Sequence, residues 1–402
     1  MRWLLFTSLA LLCMPGRAGD FSTSLRITLD DTQFTQQSPY AVPDTVLPQQ
    51  SNSSEQNLQM DWQQGGFNLT ATLRNRAIKD SKPHNEAFFN ELYYDTQIAG
   101  QDVSLGRKIT SWGVGFGFRP LDVLQQEDRR AFYQNTLRGV DQLAWEKFYD
   151  SSALSLIWAN PGQGSDEASL AIKLYNNSDE QDLHAVTRYS KQSGLQLGMG
   201  ISSVVGDSLE WHGSLLWQQD YSKRINRLTL PDANSLLATD NPLVAQDFHD
   251  GIKALAGASW THSNGWGVLG ELWYDGTAYS KTDWNRLNSL TRQQRQLLSN
   301  PAIPTPAIFG NIAYNQQAFQ ADNLLKWNTL LRLSRQDSKL EPTLELLYTP
   351  QDHGWVSTGK LEYKLDKQNL QAGIRFFGGA NNAAYSQLPQ QRQLFISWQG
   401  SF

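Results

Sequence analysis

Glu210, His212 and Ser214 follow one another at alternate positions, with His184 upstream. Carboxylate, imidazole and hydroxyl are the three groups a hydrolytic triad combines. On an extended strand, alternate residues share a face. They are separated by about 6.6–7 Å of rise, too far for the direct hydrogen bonds by which a base activates a nucleophile. No catalytic residue is assigned, and a hydrolase remains the lesser alternative. Apart from His212, the five histidines, His184 among them, are scattered without metal-ligand spacing, so neither a metal nor a cofactor is expected. The single cysteine, Cys13, falls in the apolar leader, which leaves the rest of the chain without disulfide or thiolate chemistry.

Charged residues of both signs recur at the polar positions of alternating segments. Arg74, Arg188 and Arg375 stand against Glu91, Asp95 and Glu210, and Arg26, Lys173 and Lys360 against Asp30, Glu271 and Glu345. Two readings stay open: a transverse field across a water-filled interior, and salt bridging of a polar interior. A second group lies together between strands. Lys108 is followed by Trp112-Gly-Val-Gly-Phe-Gly-Phe118, then Arg119, Asp122, Arg129, Arg130 and Arg138. Glycine permits sharp bends and close backbone approach. With charge directly after it, the segment reads as a constriction folded into a pore, or alternatively as a loop over its rim. No apolar helix follows the glycines, so it is not a phosphate loop.

The elements that must position these residues are amphipathic strands. Phe21, Thr23, Leu25, Ile27 and Leu29 alternate with Ser22, Ser24, Arg26, Thr28 and Asp30. Leu58, Met60 and Trp62 repeat the pattern. After Gly65-Gly66 come Phe67, Leu69, Ala71 and Leu73, which reads as a hairpin. Fifteen further segments follow at roughly 88–98, 102–112, 138–149, 152–159, 167–175, 181–190, 194–205, 208–218, 251–262, 265–275, 322–334, 340–349, 354–365, 369–377 and 391–402. Beyond the first fifteen or so residues, no stretch stays apolar for the ~20 residues a membrane helix needs. Yet there are 14 tryptophans, and Trp62, Trp112, Trp145, Trp158, Trp217, Trp260, Trp266, Trp327, Trp355 and Trp398 fall on or near strand ends. Such rings prefer the headgroup level of a bilayer. The expected fold is all-β: a single transmembrane antiparallel up-and-down β-barrel over residues 19–402, of about eighteen strands, with sixteen as the alternative.

Connections support eighteen. Long ones, near 31–54, 113–137, 219–250, 276–321 and 378–390, all follow odd-numbered segments, whereas those after even ones are short. In a barrel the two classes belong to opposite membrane faces, the long loops being extracellular. Residues 282–300 show helical spacing in Leu287, Leu290, Leu297 and Leu298, which suggests a short helix in the longest loop. At the N-terminus, Arg2, the apolar run Trp3–Cys13 and Gly16-Arg17-Ala18 read as a cleavable signal peptide over residues 1–18, with cleavage just before Gly19 or Asp20. Leu12 before Cys13 is not the small residue a lipoprotein site wants. Strand pattern begins at Phe21, leaving no room for an N-terminal plug or passenger domain. The final strand alternates through Leu394, Ile396, Trp398 and Gly400 to Phe402, and resembles the terminal signal recognised by barrel-assembly machinery.

Glu91-Leu-Tyr-Tyr-Asp95, then Gly106-Arg107-Lys108 leading to Trp112-Gly113, then Pro120 and Asp122 resemble porin-like outer-membrane barrels of the alginate-export type and their uncharacterised relatives. The match covers some forty residues, from Glu91 to about Arg130. The resemblance implies a large barrel passing a polar or amphipathic solute. A long polyanion would call for a lumen lined by Arg and Lys, whereas this one mixes both signs, so the resemblance does not carry alginate with it. Outer-membrane localisation follows, with lipid, lipopolysaccharide and the assembly machinery as partners, and an inner-membrane transporter if the solute is exported. The net charge of −5 and the lack of any charge block give no expectation of nucleic acid. The functional expectation is a channel for diffusion or export. The alternative is a structural or adhesion barrel that binds partners through its outer loops.

Overall fold

The computed structural model describes residues 19–49, 51–79, 81–128, 130–133, 136–160, 168–178, 180–336 and 339–402. The expected signal segment and Arg129 lie outside them. The first nine strands are β1 Asp20–Phe34, β2 Asn52–Gln64, β3 Phe67–Ile78, β4 His84–Ile98, β5 Gln101–Lys108, β6 Val140–Phe148, β7 Ser152–Ala159, β8 Ser169–Ser178 and β9 Gln181–Ser190. The rest are β10 Gly194–Val205, β11 Leu209–Asn226, β12 Leu243–Thr261, β13 Trp266–Asp275, β14 Trp327–Arg335, β15 Leu340–Thr349, β16 Gly354–Lys364, β17 Gln368–Gly378 and β18 Gln390–Ser401. Each pairs antiparallel with its sequence neighbours, and β18 pairs with β1, so eighteen strands close on themselves.

Alternation builds both faces of this wall. Phe21, Leu29, Leu105, Tyr189, Leu344 and Ile396 are exposed on the outside, while Thr28, Asn57, Thr72, Ser104 and Ser397 are buried inside. Apolar residues outside and hydroxyl or amide groups inside invert the plan of a soluble protein, as lipid contact requires. Inward polar groups pair across strands: Thr28 Oγ1 lies 2.9 Å from Ser397 Oγ, and Thr72 Oγ1 donates to Asn90 Oδ1 at 2.7 Å. The expected tryptophans stand on outward positions of the wall, with one exception. Trp112 is buried inside the barrel, because the chain leaves the wall before reaching it.

Several strand boundaries differ from expectation, among them β4, which starts at His84 rather than 88, and β14, which starts at Trp327 rather than 322. β5 stops at Lys108 rather than running to residue 112: the Ile109 N–H donates to Glu91 Oε1 at 2.9 Å, and the chain turns into the lumen. β11 and β12 run on, so the connection expected over 219–250 shrinks to 227–242. The ladder there continues from Asp220↔His249 to Asn226↔Leu243, with Tyr221 and Phe248 stacked 5.4 Å apart. Above the lipid both faces of a hairpin are wet, so the alternation that marks a membrane strand fades while the pairing persists.

The long connections do not stand free. In 276–326, α1 (Lys281–Gln296) starts with a reciprocal Ser280–Asp283 capping box, satisfying two helix-end donors. α2 (Thr305–Gln316) follows, and was not anticipated. Connection 35–51 folds onto them: buried Tyr40 donates its hydroxyl to Asn288 Oδ1 at 2.6 Å and sets its ring edge-on to Phe319. α3 (Ala384–Gln387), in 379–389, joins the same apolar cluster through Ala384 and Tyr385.

Closure depends on the last residues. The Phe402 N–H donates to Thr23 O at 2.8 Å, and Phe402 O accepts from the Thr23 N–H at 3.3 Å. Deleting Phe402 is expected to lower the amount of heat-modifiable barrel recovered from membranes relative to the full chain. Ile396→Lys, on the outer face in mid-strand, is expected to cost about 2–4 kcal/mol in denaturant titrations of refolding into bilayers. Wild-type recovery of the truncated chain would contradict the first expectation.

Candidate functional site

Residues 109–139, between β5 and β6, cross the lumen. Three buried side chains hold them there. Asp122 ties the loop to itself: its carboxylate accepts from the Trp112 N–H (2.6 Å), the Gly113 N–H (2.7 Å) and Ser111 Oγ (3.0 Å). Burial pushes the Asp122 carboxyl up from its usual range, against these donors and nearby Arg119. Glu271, on β13, ties the loop to the wall. Fully buried, it accepts from the Phe116 N–H at 2.6 Å, the Gly117 N–H at 2.7 Å and His212 Nε2 at 2.8 Å. Asn90 holds the far end, where its main-chain carbonyl accepts from the Gly139 N–H and its side-chain amide donates to Leu137 O.

Apolar contacts press the loop against two adjoining arcs of the wall. Phe118 stacks on Trp273 and joins Leu255, Leu269 and Leu330 of β12–β14. Trp112, Leu121 and Leu124 join Ile157, Ala171, Val186 and Leu216 of β7–β11. Wall and loop are fitted by missing side chains. A Cβ at Gly200 would come within 2.7 Å of Leu121, and one at Gly117 within 2.8 Å of Leu330. A side chain at either position would force the leucine methyl to move, so glycine lets loop and wall approach this closely. Further along, Phe132 packs edge-on against Phe395 of β18, and Thr136 accepts from Arg26 of β1.

The expected site residues fall into place unequally. Arg119 is a brace inside the loop, donating to Gly115 O at 2.7 Å and Ser111 Oγ at 2.6 Å. Arg130 reaches Asp322 O in the long connection and lies over the Trp273 ring. Arg138 pairs with Glu86 and covers the Phe88 ring at 3.8 Å. Lys108 belongs to the wall, 3.6 Å from Asp95 and over Tyr93. Among the wall residues, Arg74 sits between Glu55 (3.9 Å) and Glu86 (3.8 Å). Glu91 serves the turn at Ile109, and Arg188 donates to Gln196 Oε1 at 2.8 Å. Arg375 donates to Thr358 Oγ1 and Arg130 O, both at 2.9 Å. Glu210 accepts from Ser259 Oγ at 3.2 Å.

The triad residue types do not assemble. His212 directs Nε2 to Glu271, Glu210 stands 3.8 Å from its other ring nitrogen, and buried Ser214 Oγ has no hydrogen-bond partner among the described residues. Sequence reasoning had placed Glu271 on the inner wall but not as the loop's anchor. Nothing local signals that role, because its partners lie 154 and 155 residues away.

The loop leaves a cavity of about 1020 Å³ on the side of β9–β12 and a smaller one of about 340 Å³ toward β14–β18. The larger is bordered by four cations, Arg107, Arg138, Arg188 and Lys253, and two carboxylates, Glu86 and Asp122. Lys253, missed at the sequence level, faces it from β12.

A closed eighteen-strand wall with an inserted loop is the architecture of a porin-like outer-membrane β-barrel. No protein-family model matches the chain, and no curated protein sequence does. Solved structures do. OccK11 (OpdR) of Pseudomonas aeruginosa superposes with a TM-score of 0.55 at 10% identity, covering 95% of this chain and 96% of that one. OccAB1 of Acinetobacter baumannii gives 0.55 at 7% identity over 95% and 96%. OccK3 (OpdO) of Pseudomonas aeruginosa gives 0.54 at 10% over 95% and 95%. At such identities the likeness shows the fold.

Glu271→Leu removes the acceptor for two backbone donors and His212. An orphaned buried donor costs about 1–3 kcal/mol, so the loop is expected to release rather than stay docked. Hydrogen exchange at the Phe116 and Gly117 amides should accelerate while the barrel strands keep their protection. Unchanged exchange there would remove Glu271 as the anchor.

Proposed function

We propose that this chain is a channel of the bacterial outer membrane, exported by its leader and inserted by assembly machinery that reads the Phe402 strand. It passes a polar or amphipathic solute by diffusion or export, through the space that the 109–139 loop leaves beside β9–β12. The observation that carries the reading is the loop itself. It is braced by buried Asp122, anchored by buried Glu271 and packed against β7–β14, leaving a charged cavity rather than a filled core. A structural barrel needs no such partition.

The loop is the constriction, and its charges set selectivity. Ions confined between protein walls feel nearby charges less screened than they would at the open rim. Arg119 acts by bracing the loop, Arg130, Arg138 and Arg129 by their charge, and Arg188 and Lys253 from the wall. The likeness of Glu91–Arg130 to alginate-export barrels bears on the passage of a polar solute. Both signs on the wall, Arg74, Arg188 and Arg375 together with Glu91, Asp95 and Glu210, favour a solute smaller than a long polyanion.

Planar-bilayer recording tests this. The full chain is expected to form ion-conducting pores, and deleting about 115–127 should raise single-channel conductance while the barrel still assembles. Arg130→Glu and Lys253→Glu together should shift selectivity toward cations, more at low salt than at high. A barrel that never conducts would end the channel reading. Unchanged conductance and selectivity in both variants would move the filter away from the loop.

A further inference from the structure

Six charged side chains border the cavity of about 1020 Å³: Glu86, Arg107, Asp122, Arg138, Arg188 and Lys253. Each is already engaged. Arg107 belongs to the outer face, opposite Leu92, where it holds Asp141 through two 2.8 Å bonds. Arg138 pairs with Glu86, and Asp122 is taken up by the loop's own amides. Arg188 donates to Gln196 Oε1 at 2.8 Å. Lys253 stands directly opposite Asp275 in the β12–β13 ladder, on the same inner face. Inward charge is thus balanced, with Arg138, Arg188 and Lys253 set against Glu86, Asp122 and Asp275. An ion held here would have to displace one of these partners or give up water without a replacement, which is costly.

What the cavity offers a solute is mainly neutral. Glutamine borders it from the rim inward. Gln192 sits exposed in the turn between Ser190 and Gly194. Further in, Gln196 and Gln218 face one another across the β10–β11 ladder, with Gln196 Nε2 3.5 Å from Gln218 Oε1. The Gln218 amide is oriented by its bond to Asp220 O at 2.8 Å. From the loop, exposed Gln126 borders the same space. Toward the outside, β11 continues the lining with Tyr221 and Ser222, and the Tyr221 ring is backed by Phe248 at 5.4 Å between centroids. A primary amide both donates and accepts, and so does a hydroxyl. Such a lining forms hydrogen bonds of either sense without favouring either sign of charge. An aromatic ring adds an apolar face.

We infer that this cavity is a passage site for a short neutral saccharide. The inference rests on the channel reading above and names the substrate class of the same path. A saccharide carries hydroxyls that donate and accept in turn, and a C–H face without polar atoms. Gln192, Gln196 and Gln218 meet the hydroxyls from the wall and Gln126 from the loop, while Tyr221 takes the C–H face. The cavity is at the upper end of what small-molecule sites occupy, roughly 300–1,000 Å³. A disaccharide therefore enters with water round it rather than gripped on all sides. Weak hydrogen bonds from several directions suit passage, since a conducted solute must leave as readily as it enters.

The test records KCl current through the full mature chain in planar bilayers while maltitol is added. Two analogues run in parallel: maltobionate, with a carboxylate at the open-chain end, and 1-amino-1-deoxymaltitol, with an ammonium there. Maltitol is expected to block the current saturably, and at lower concentration than either analogue. Equal or tighter block by an analogue of either sign would overturn the neutral class. Current that none of the three blocks would overturn the saccharide site and leave the channel reading standing. In a second arm, block is read as a fraction of each variant's own current. Gln126→Ala combined with Gln192→Ala should weaken maltitol block about tenfold, the order expected for two lost neutral hydrogen bonds. Gln293→Ala, on α1, should leave it at the wild-type value. Undiminished block in the double variant would overturn the site. If the chain carries no KCl current, binding of radiolabelled maltitol to the detergent-purified protein separates the two readings. Binding that the double variant loses would end the channel reading and leave the saccharide site, whereas no binding would overturn both.

Discussion

Inside a bilayer every backbone N–H and C=O must find its partner within the protein, since there is no water to serve instead. For a sheet this means closure, and closure here is the ladder between β1 and β18. It runs from Ser24↔Ser401 past Gln33↔Arg392 and is extended by the bonds between Thr23 and Phe402. Once the sheet is closed, each strand has a fixed inside and outside. The polar half of every alternating segment is enclosed, and a lumen exists in which charges can be placed opposite one another.

The same rule explains what happens where a strand leaves the wall. β5 departs at Lys108, and the donor it would orphan, the Ile109 N–H, is taken by the Glu91 carboxylate. A bulge opposite Thr70/Ala71 brings Asn90 and Glu91 to the inner side together, so one serves the chain's departure and the other its return. The loop between them carries donors of its own into a confined space. Asp122 and Glu271 satisfy those at the two tightest bends. Buried carboxylates accepting several backbone N–H bonds are strong, directional fixtures, which suits a loop that must hold its shape beside a solute path.

The other long connections follow a different logic. Tyr40, Trp284, Leu287, Ile308 and Ile312 are buried among themselves and against the upper lumen wall, so the long connections have a small core of their own. They rest on β12–β16, the side that Phe118 also fills. The cap therefore loads β12–β16, whereas the loop packs on β7–β11 as well as on β12–β14 and borders the larger cavity.

The sequence alone determined the strand count, the facing of nearly every wall residue and the short and long ends of the barrel, because all three follow from a period of two and from turn lengths, which are local. It also singled out the inserted segment as a constriction candidate, from the Gly-aromatic run at Trp112–Phe118 and the charges after it, and the first loop helix from its leucine spacing, while the Ser280 cap emerged only in the structure. Only the tertiary structure decided what that segment rests on. Glu271, His212 and Lys253 look like any inward polar residues on their strands, and their meaning depends on partners brought near by closure of the sheet. The early end of β5 was invisible for a related reason. Alternation continues through Thr110 and Trp112, so the period predicts a strand, but a hydrogen bond to a neighbouring strand's side chain ends it. Periodicity reports which face a residue takes; it carries no information about which distant donor that face will meet.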